Sequence, residues 1–123
     1  MDKVQLVVRL LFGLMLVVFG LNYFLQFLPM GDMNPAAGAF MGALISTKFY
    51  FPVIKSIEIV AGIAFLTNQK VAFAAVMVFP VMVAAFLFHL GLDVAGIGGA
   101  AVALSFNIFL LYANRAKYLP MWG

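Results

Sequence analysis

The feature that most constrains this chain is its four apolar runs, each close to the length that crosses a bilayer. They extend from about Val4 to Leu28, Tyr50 to Leu66, Val71 to Leu90 and Val94 to Ala113. A helix needs ~20 mostly apolar residues to cross ~30 Å of hydrocarbon, and lipid leaves backbone groups only the helix or the closed barrel in which to be satisfied. Barrel strands alternate with period two. The run LVVRLLFGLMLVVFGL is apolar on nearly every side, which excludes a barrel and predicts a helical bundle. Composition closes the argument: 67% of the residues are hydrophobic and 9% charged, against about 25% charged in a water-soluble domain.

Two connections, Thr67-Asn68-Gln69-Lys70 and Gly91-Leu92-Asp93, are short enough to force antiparallel hairpins. Asp93 stands where a side chain accepts from the free amides of a first helical turn, so it is expected to cap the fourth helix. The third connection, Pro29 to Phe49, is longer. Within it Asn34-Pro35 reads as a cap followed by a first-turn proline, and AAGAFMGALI after it is small, apolar and uncharged. A short interfacial helix over about 35–46 follows, acting as a lid on one end of the bundle; an ordinary surface loop with some helical turn is the alternative. The expected fold is all-α, a single membrane domain over 1–123: a four-helix transmembrane bundle with a lid helix between the first and second spans.

Lys3, Arg9, Lys70, Arg115 and Lys117 fall on one side of this topology, Lys48 and Lys55 on the other. The bias of basic residues toward the cytoplasm therefore predicts that both termini are cytoplasmic. The first run is much longer than the ~7–15 residues of a signal core, so it is read as a retained span. A net charge of +3 without any basic run gives no reason to expect nucleic acid. The chain has no cysteine and one histidine, which excludes a disulfide relay, Cys-ligated zinc, an iron–sulfur cluster and a bis-histidine haem within one chain. No metal site and no intrinsic cofactor is expected.

Ionisable groups inside a span cost ~2.5–3.5 kcal/mol at mid-helix, so each needs a partner or a purpose. Arg9, Lys55, Glu58 and His89 qualify. Phe51, Lys55, Glu58, Gly62 and Phe65 form one helical stripe on which Lys55 and Glu58 are neighbours; they either neutralise each other or form a polar site facing inward. Arg9 shares a face with Gly13, Leu16, Gly20 and Phe27, within snorkelling reach of the headgroups. Asn107 lies at a comparable depth on the fourth helix, so an Arg9 to Asn107 hydrogen bond is expected as a bundle-fixing contact. His89 falls near the outer end, as do Asn22 and Gln26 of the first helix, Lys55 and Asp93. With Glu58 deepest, these side chains predict a polar cavity under the lid, suited to a polar head group. Tyr112, Tyr118 and Trp122, beside Arg115 and Lys117, fit an interfacial aromatic belt.

Arg9 with Gly13 and GLNYF in the first span, PVIKSIEIVAG in the second, and FPVMVAAFLFHLGLDVAGIGGA across the third and fourth resemble the DoxX/DoxD-like family of small bacterial membrane proteins. The resemblance spans nearly the whole chain and is strongest in the order and position of Arg9, Glu58 and His89. It implies a four-helix membrane bundle in the bacterial inner membrane, in keeping with the count of spans. It also implies association with thiosulfate:quinone oxidoreduction and with membrane redox or oxidative-stress complexes. Some members carry an asparagine on the third helix where this chain has Ala84 and Ala85.

The first functional expectation is an accessory subunit of a quinone-linked redox system. The outer cavity, with Glu58, Lys55, His89, Asn22 and Gln26, would hold a quinone or lipid head group, and electrons would come from a partner protein. A proton-coupled small-molecule transporter is the second. Its membrane carboxylate would be Glu58, for which the adjacent Lys55 makes a poorer cation site. A purely structural assembly subunit is the third. The expected partners are the lipid bilayer, a redox protein and, in the same bilayer, a second copy of the chain.

Overall fold

The computed structural model describes residues 2–27 and 33–122, apart from the Trp122 side chain. Helix α1 (Lys3–Leu25) is followed by α2 (Pro35–Ser46), α3 (Tyr50–Thr67), α4 (Val71–Leu92) and α5 (Ile97–Ala113). Short 3-10 segments, Val94–Gly96 and Arg115–Trp122, flank α5. The fold is a helical bundle with no strand among the described residues. Four stretches, Lys3–Leu25, Tyr50–Thr67, Val71–Leu92 and Val94–Ala113, are helical, long and apolar enough to cross a membrane. The chain is accordingly a multi-pass membrane protein. Leu28, where the first run was expected to end, lies outside the described residues, and α1 closes at Leu25.

Local chemistry sets the helix boundaries. The Asp2 carboxylate accepts from Val4 N at 3.1 Å and caps α1, satisfying a donor that the first turn leaves free. Asn34 does the same for α2, accepting from Ala37 N at 2.9 Å ahead of Pro35, so the cap-and-proline reading of this segment holds. Helix α3 ends on Asn68 and α4 opens on Lys70, both left-handed at φ 56° and 53°. Two such residues in so short a turn reverse the chain tightly. Helix α4 runs through Pro80 without interruption.

The spanning helices stand in cyclic order α1, α3, α4, α5, with α2 against α3 and α4. Lipid tails are as apolar as leucine, so packing rather than hydrophobic transfer must hold helices together. The closest approach, α1 on α3, has glycine on both sides. A Cβ added to Gly62 would stand 2.8 Å from Gly13 O and 3.0 Å from Val17 N, and one on Gly20 would stand 2.6 Å from Ile59 Cγ1. Around this seam Phe12 stacks on Phe65 at 5.3 Å, and Leu110 and Val78 are fully buried. The outer surface keeps large apolar side chains exposed, among them Val7, Leu14, Val60, Phe73 and Ile108, as a bilayer allows.

Helix α2 is pinned where α4 ends. Asn34 Nδ2 donates to Leu92 O at 2.6 Å, and Phe40 stacks on Phe88 at 5.6 Å. With only Ala37 buried, and at ~18 Å too short to cross hydrocarbon, α2 sits as a lid on one end of the bundle. The opposite end gathers the start of α1, the α3–α4 turn and the segment after α5.

Candidate functional sites at the two ends of the bundle

At the lid end, Lys55 Nζ lies 3.2 Å from Glu58 Oε2, one helical turn apart on α3. The Glu58 side chain is 8% exposed and that of Lys55 23%, so the ammonium offsets a carboxylate that would otherwise be isolated in a low-dielectric surrounding. Gly20 of α1 backs the pair: a Cβ there would approach Lys55 O to 3.2 Å. On α4, His89 Nδ1 lies 3.1 Å from Asp93 Oδ2. The imidazole meets the Phe88 ring edge-on at 5.1 Å, and Phe88 in turn carries the lid residue Phe40.

Of the side chains expected to converge, Lys55 pairs with Glu58 and His89 with Asp93, each pair closed within its own stretch of chain. Among the described residues no hydrogen bond or ion pair joins Lys55 and Glu58 to His89 and Asp93. Asn22 is buried on α1. Gln26 is exposed and ends α1 in the left-handed region, its N–H donating to Asn22 O at 2.7 Å.

Two expected polar contacts take different partners. The Asp93 side chain makes no capping bond, because a 3-10 turn intervenes before α5 and the carboxylate turns to His89 instead. Arg9 and Asn107 do not bond each other. Arg9 Nη1 donates to Phe65 O of α3, while Asn107 Nδ2 donates to Ala75 O of α4 at 3.1 Å. Both tie neighbouring helices, each through a carbonyl. Asn107 is fully buried, and its Oδ1 has no hydrogen-bond partner. Arg9 is 6% exposed, buried at the end of the bundle rather than snorkelling to its surface.

Of the expected aromatic belt, Tyr112 is exposed and carries the Arg115 guanidinium 4.1 Å above its ring. Tyr118 is half-buried, and its hydroxyl donates to Ala72 O at 2.8 Å. It braces the last segment against α4. The Trp122 side chain lies outside the described residues.

At the end opposite the lid a cavity of about 500 Å³ opens between Gln5 and Arg9 of α1, Asn68 and Lys70 of the α3–α4 turn, the start of α4, and Asn114 with Lys117. It is lined by three cations and three amides and by no carboxylate. In the sequence Lys70 and Lys117 mark topology and Arg9 is expected to snorkel or to bond Asn107; no common cavity is expected there. The signal that could have found the cavity is the even number of spans, which returns Lys70 and Lys117 to the side of Arg9. Comparison of the chain with family models, curated proteins and solved structures gave no match.

Proposed function

We propose that this chain is a partner-dependent accessory subunit of a quinone-linked redox system in the bacterial inner membrane, with both termini cytoplasmic. The observation that carries this reading is the two polar pairs at the lid end, Lys55–Glu58 and His89–Asp93, on neighbouring helices in an apolar surround. A quinone ring needs donors and proton-exchanging groups at its carbonyls and an apolar sleeve for its tail. Imidazole, ammonium and carboxylate supply the first. The apolar flanks of the spans supply the second. With no thiol in the chain, electrons have to come from a flavin, haem or quinone-linked protein. The resemblance to DoxX/DoxD-like proteins supports the same class.

The test is to purify the full chain from native membranes and quantify co-extracted quinone in wild type, Glu58→Gln and His89→Ala. Quinone content falling in both variants, with the helical spectrum retained, supports the reading. Unchanged content in both overturns it.

A structural assembly subunit is the second reading, favoured by a different observation. The four ionisable groups of the spans all find partners within the chain: Lys55 with Glu58, His89 with Asp93, and Arg9 with Phe65 O. Of these contacts, the bond from Arg9 to Phe65 O joins two helices and acts as glue between them. That reading predicts loss of the assembled complex, with no change in any bound quinone, when apolar outer-face residues such as Val60 or Phe73 are replaced.

A further inference from the structure

The cavity opposite the lid has a chemistry of its own, independent of the quinone reading. Arg9, Lys70 and Lys117 line it together with Gln5, Asn68 and Asn114. The chain has four acidic side chains. Asp2 caps α1, Glu58 is held by Lys55 and Asp93 by His89, while Asp32 lies outside the described residues. Among the described residues, therefore, no carboxylate comes within ion-pair distance of the three cations that line the cavity. Uncompensated positive charge in a concave site attracts an anion.

Arg9 makes the site more than a solvated basic surface. It is 94% buried, its Nη1 is committed to Phe65 O, and its Nε is buried without any hydrogen-bond partner. A guanidinium in this state retains donors in a fixed plane that suit a phosphate oxygen. The two lysines at the mouth are exposed and add charge without a rigid geometry.

The position of the cavity selects the kind of anion. It opens at the end of the spans, where headgroups lie, and its wall passes from Lys70 into Val71, Ala72 and the outward-facing Phe73, which is 69% exposed. A ligand there meets cations at one side and an apolar flank at the other. Basic pockets of this kind between spanning helices take anionic headgroups. We infer that the cavity bounded by Arg9, Lys70, Lys117 and Asn114 binds the phosphate of an anionic phospholipid, whose acyl chains lie along the Phe73 side of α4.

The experiment uses the full chain in mild detergent, with native mass spectrometry and thermal shift as readouts. Phosphatidylglycerol is compared with phosphatidylcholine as lipid probes, and glycerol 3-phosphate and inorganic phosphate serve as soluble probes. Phosphatidylglycerol is expected to bind in preference to phosphatidylcholine. Each of Lys70→Gln and Lys117→Gln should weaken that binding about fivefold, the worth of one basic residue near an anionic surface. These positions are exposed, so the fold survives their change. Arg9→Lys keeps the charge but not the planar fork, and is expected to reduce the preference for phosphatidylglycerol as well. Binding of the soluble phosphates without a preference for the anionic lipid overturns the lipid assignment. Equal binding of both lipids, or affinities unmoved in Lys70→Gln and Lys117→Gln, overturns the site.

Discussion

Gly13 of α1 and Gly62 of α3 stand backbone to backbone: a Cβ on Gly62 would lie 2.8 Å from Gly13 O, and one on Gly13 would lie 3.0 Å from Gly62 O. The obstacle on each side is main chain, which cannot rotate away as a side chain can. Gly62→Ala is therefore expected to push the two helices apart and lower stability by about 1–3 kcal/mol, the range for overpacking a tight contact. Gly38→Ala is the control. It lies in α2 with open space around it, so the gain in helix propensity should leave stability unchanged or raised by up to ~1 kcal/mol. Reversible unfolding in mixed detergent micelles measures both.

The Lys55–Glu58 pair predicts a non-additive mutant cycle. Lys55→Met strips the buried Glu58 carboxyl of its partner, so it must stay ionised unpaired or take up a proton, at an expected cost of about 2 kcal/mol. That is below the ~3–5 kcal/mol of a fully buried pair, because Lys55 keeps some contact with its surroundings. Adding Glu58→Gln removes the stranded carboxyl. The double variant should recover to within about 1 kcal/mol of wild type, and additive losses in unfolding titrations would count against the pair as a unit.

The spans, the hairpin turns and the lid are legible in the sequence because they rest on length, hydropathy and local capping. Asn34-Pro35 alone marks where α2 begins. The polar partners are less legible, for a physical reason: these helices are apolar nearly all round, so the pattern does not fix rotation about the axis. The glycine seam fixes it instead. Gly13 and Gly62 bring α1 so close to α3 that Arg9, one turn before Gly13, reaches Phe65 O rather than Asn107. Lys55 and Glu58 needed no such knowledge, since their spacing on one helix determines their meeting. The basic cavity depends on how the chain after α5 folds back, which Tyr118 controls through Ala72 O. Nothing in the local pattern of that segment announces this contact.

Five of the seven basic residues lie at or near the end away from the lid: Lys3, Arg9, Lys70, Arg115 and Lys117. The positive-inside rule predicts that this end faces the cytoplasm. Because the chain has no native cysteine, single reporters are clean. Ala43→Cys on α2 is expected to react with a membrane-impermeant maleimide added outside intact cells, and Gln69→Cys in the α3–α4 turn only after the membrane is opened. The reverse pattern inverts the assignment.

Gly96 leaves the room that His89 and Asp93 occupy. A Cβ there would stand 2.7 Å from the imidazole Nδ1 and 3.0 Å from Asp93 Oδ2. Both neighbours are side-chain ends that can swing away, so Gly96→Ala should preserve the fold while breaking the pair. The expected sign is a changed imidazole nitrogen shift in a histidine-labelled sample, readily assigned because the chain has one histidine. Quinone content, if the lid end holds it, should fall as in His89→Ala.

Tyr118 gives the chain an alkaline sensitivity outside the spans. Burial pushes its phenol above the ordinary value, since the ionised form would lose hydration, and its hydroxyl proton is committed to Ala72 O at 2.8 Å. A folded value above the unfolded one means that the contribution is whole below about pH 10, the free phenol's value, and is lost as pH rises through the folded value. Tyr118→Phe is expected to cost about 1 kcal/mol at neutral pH, the net worth of one hydrogen bond. The difference in stability between wild type and variant should then shrink on going to higher pH, where the wild-type hydroxyl ionises and the variant has none. Unfolding titrations at neutral and strongly alkaline pH read this directly, and a difference that stays constant across them would show that Tyr118 does not brace the segment through its proton.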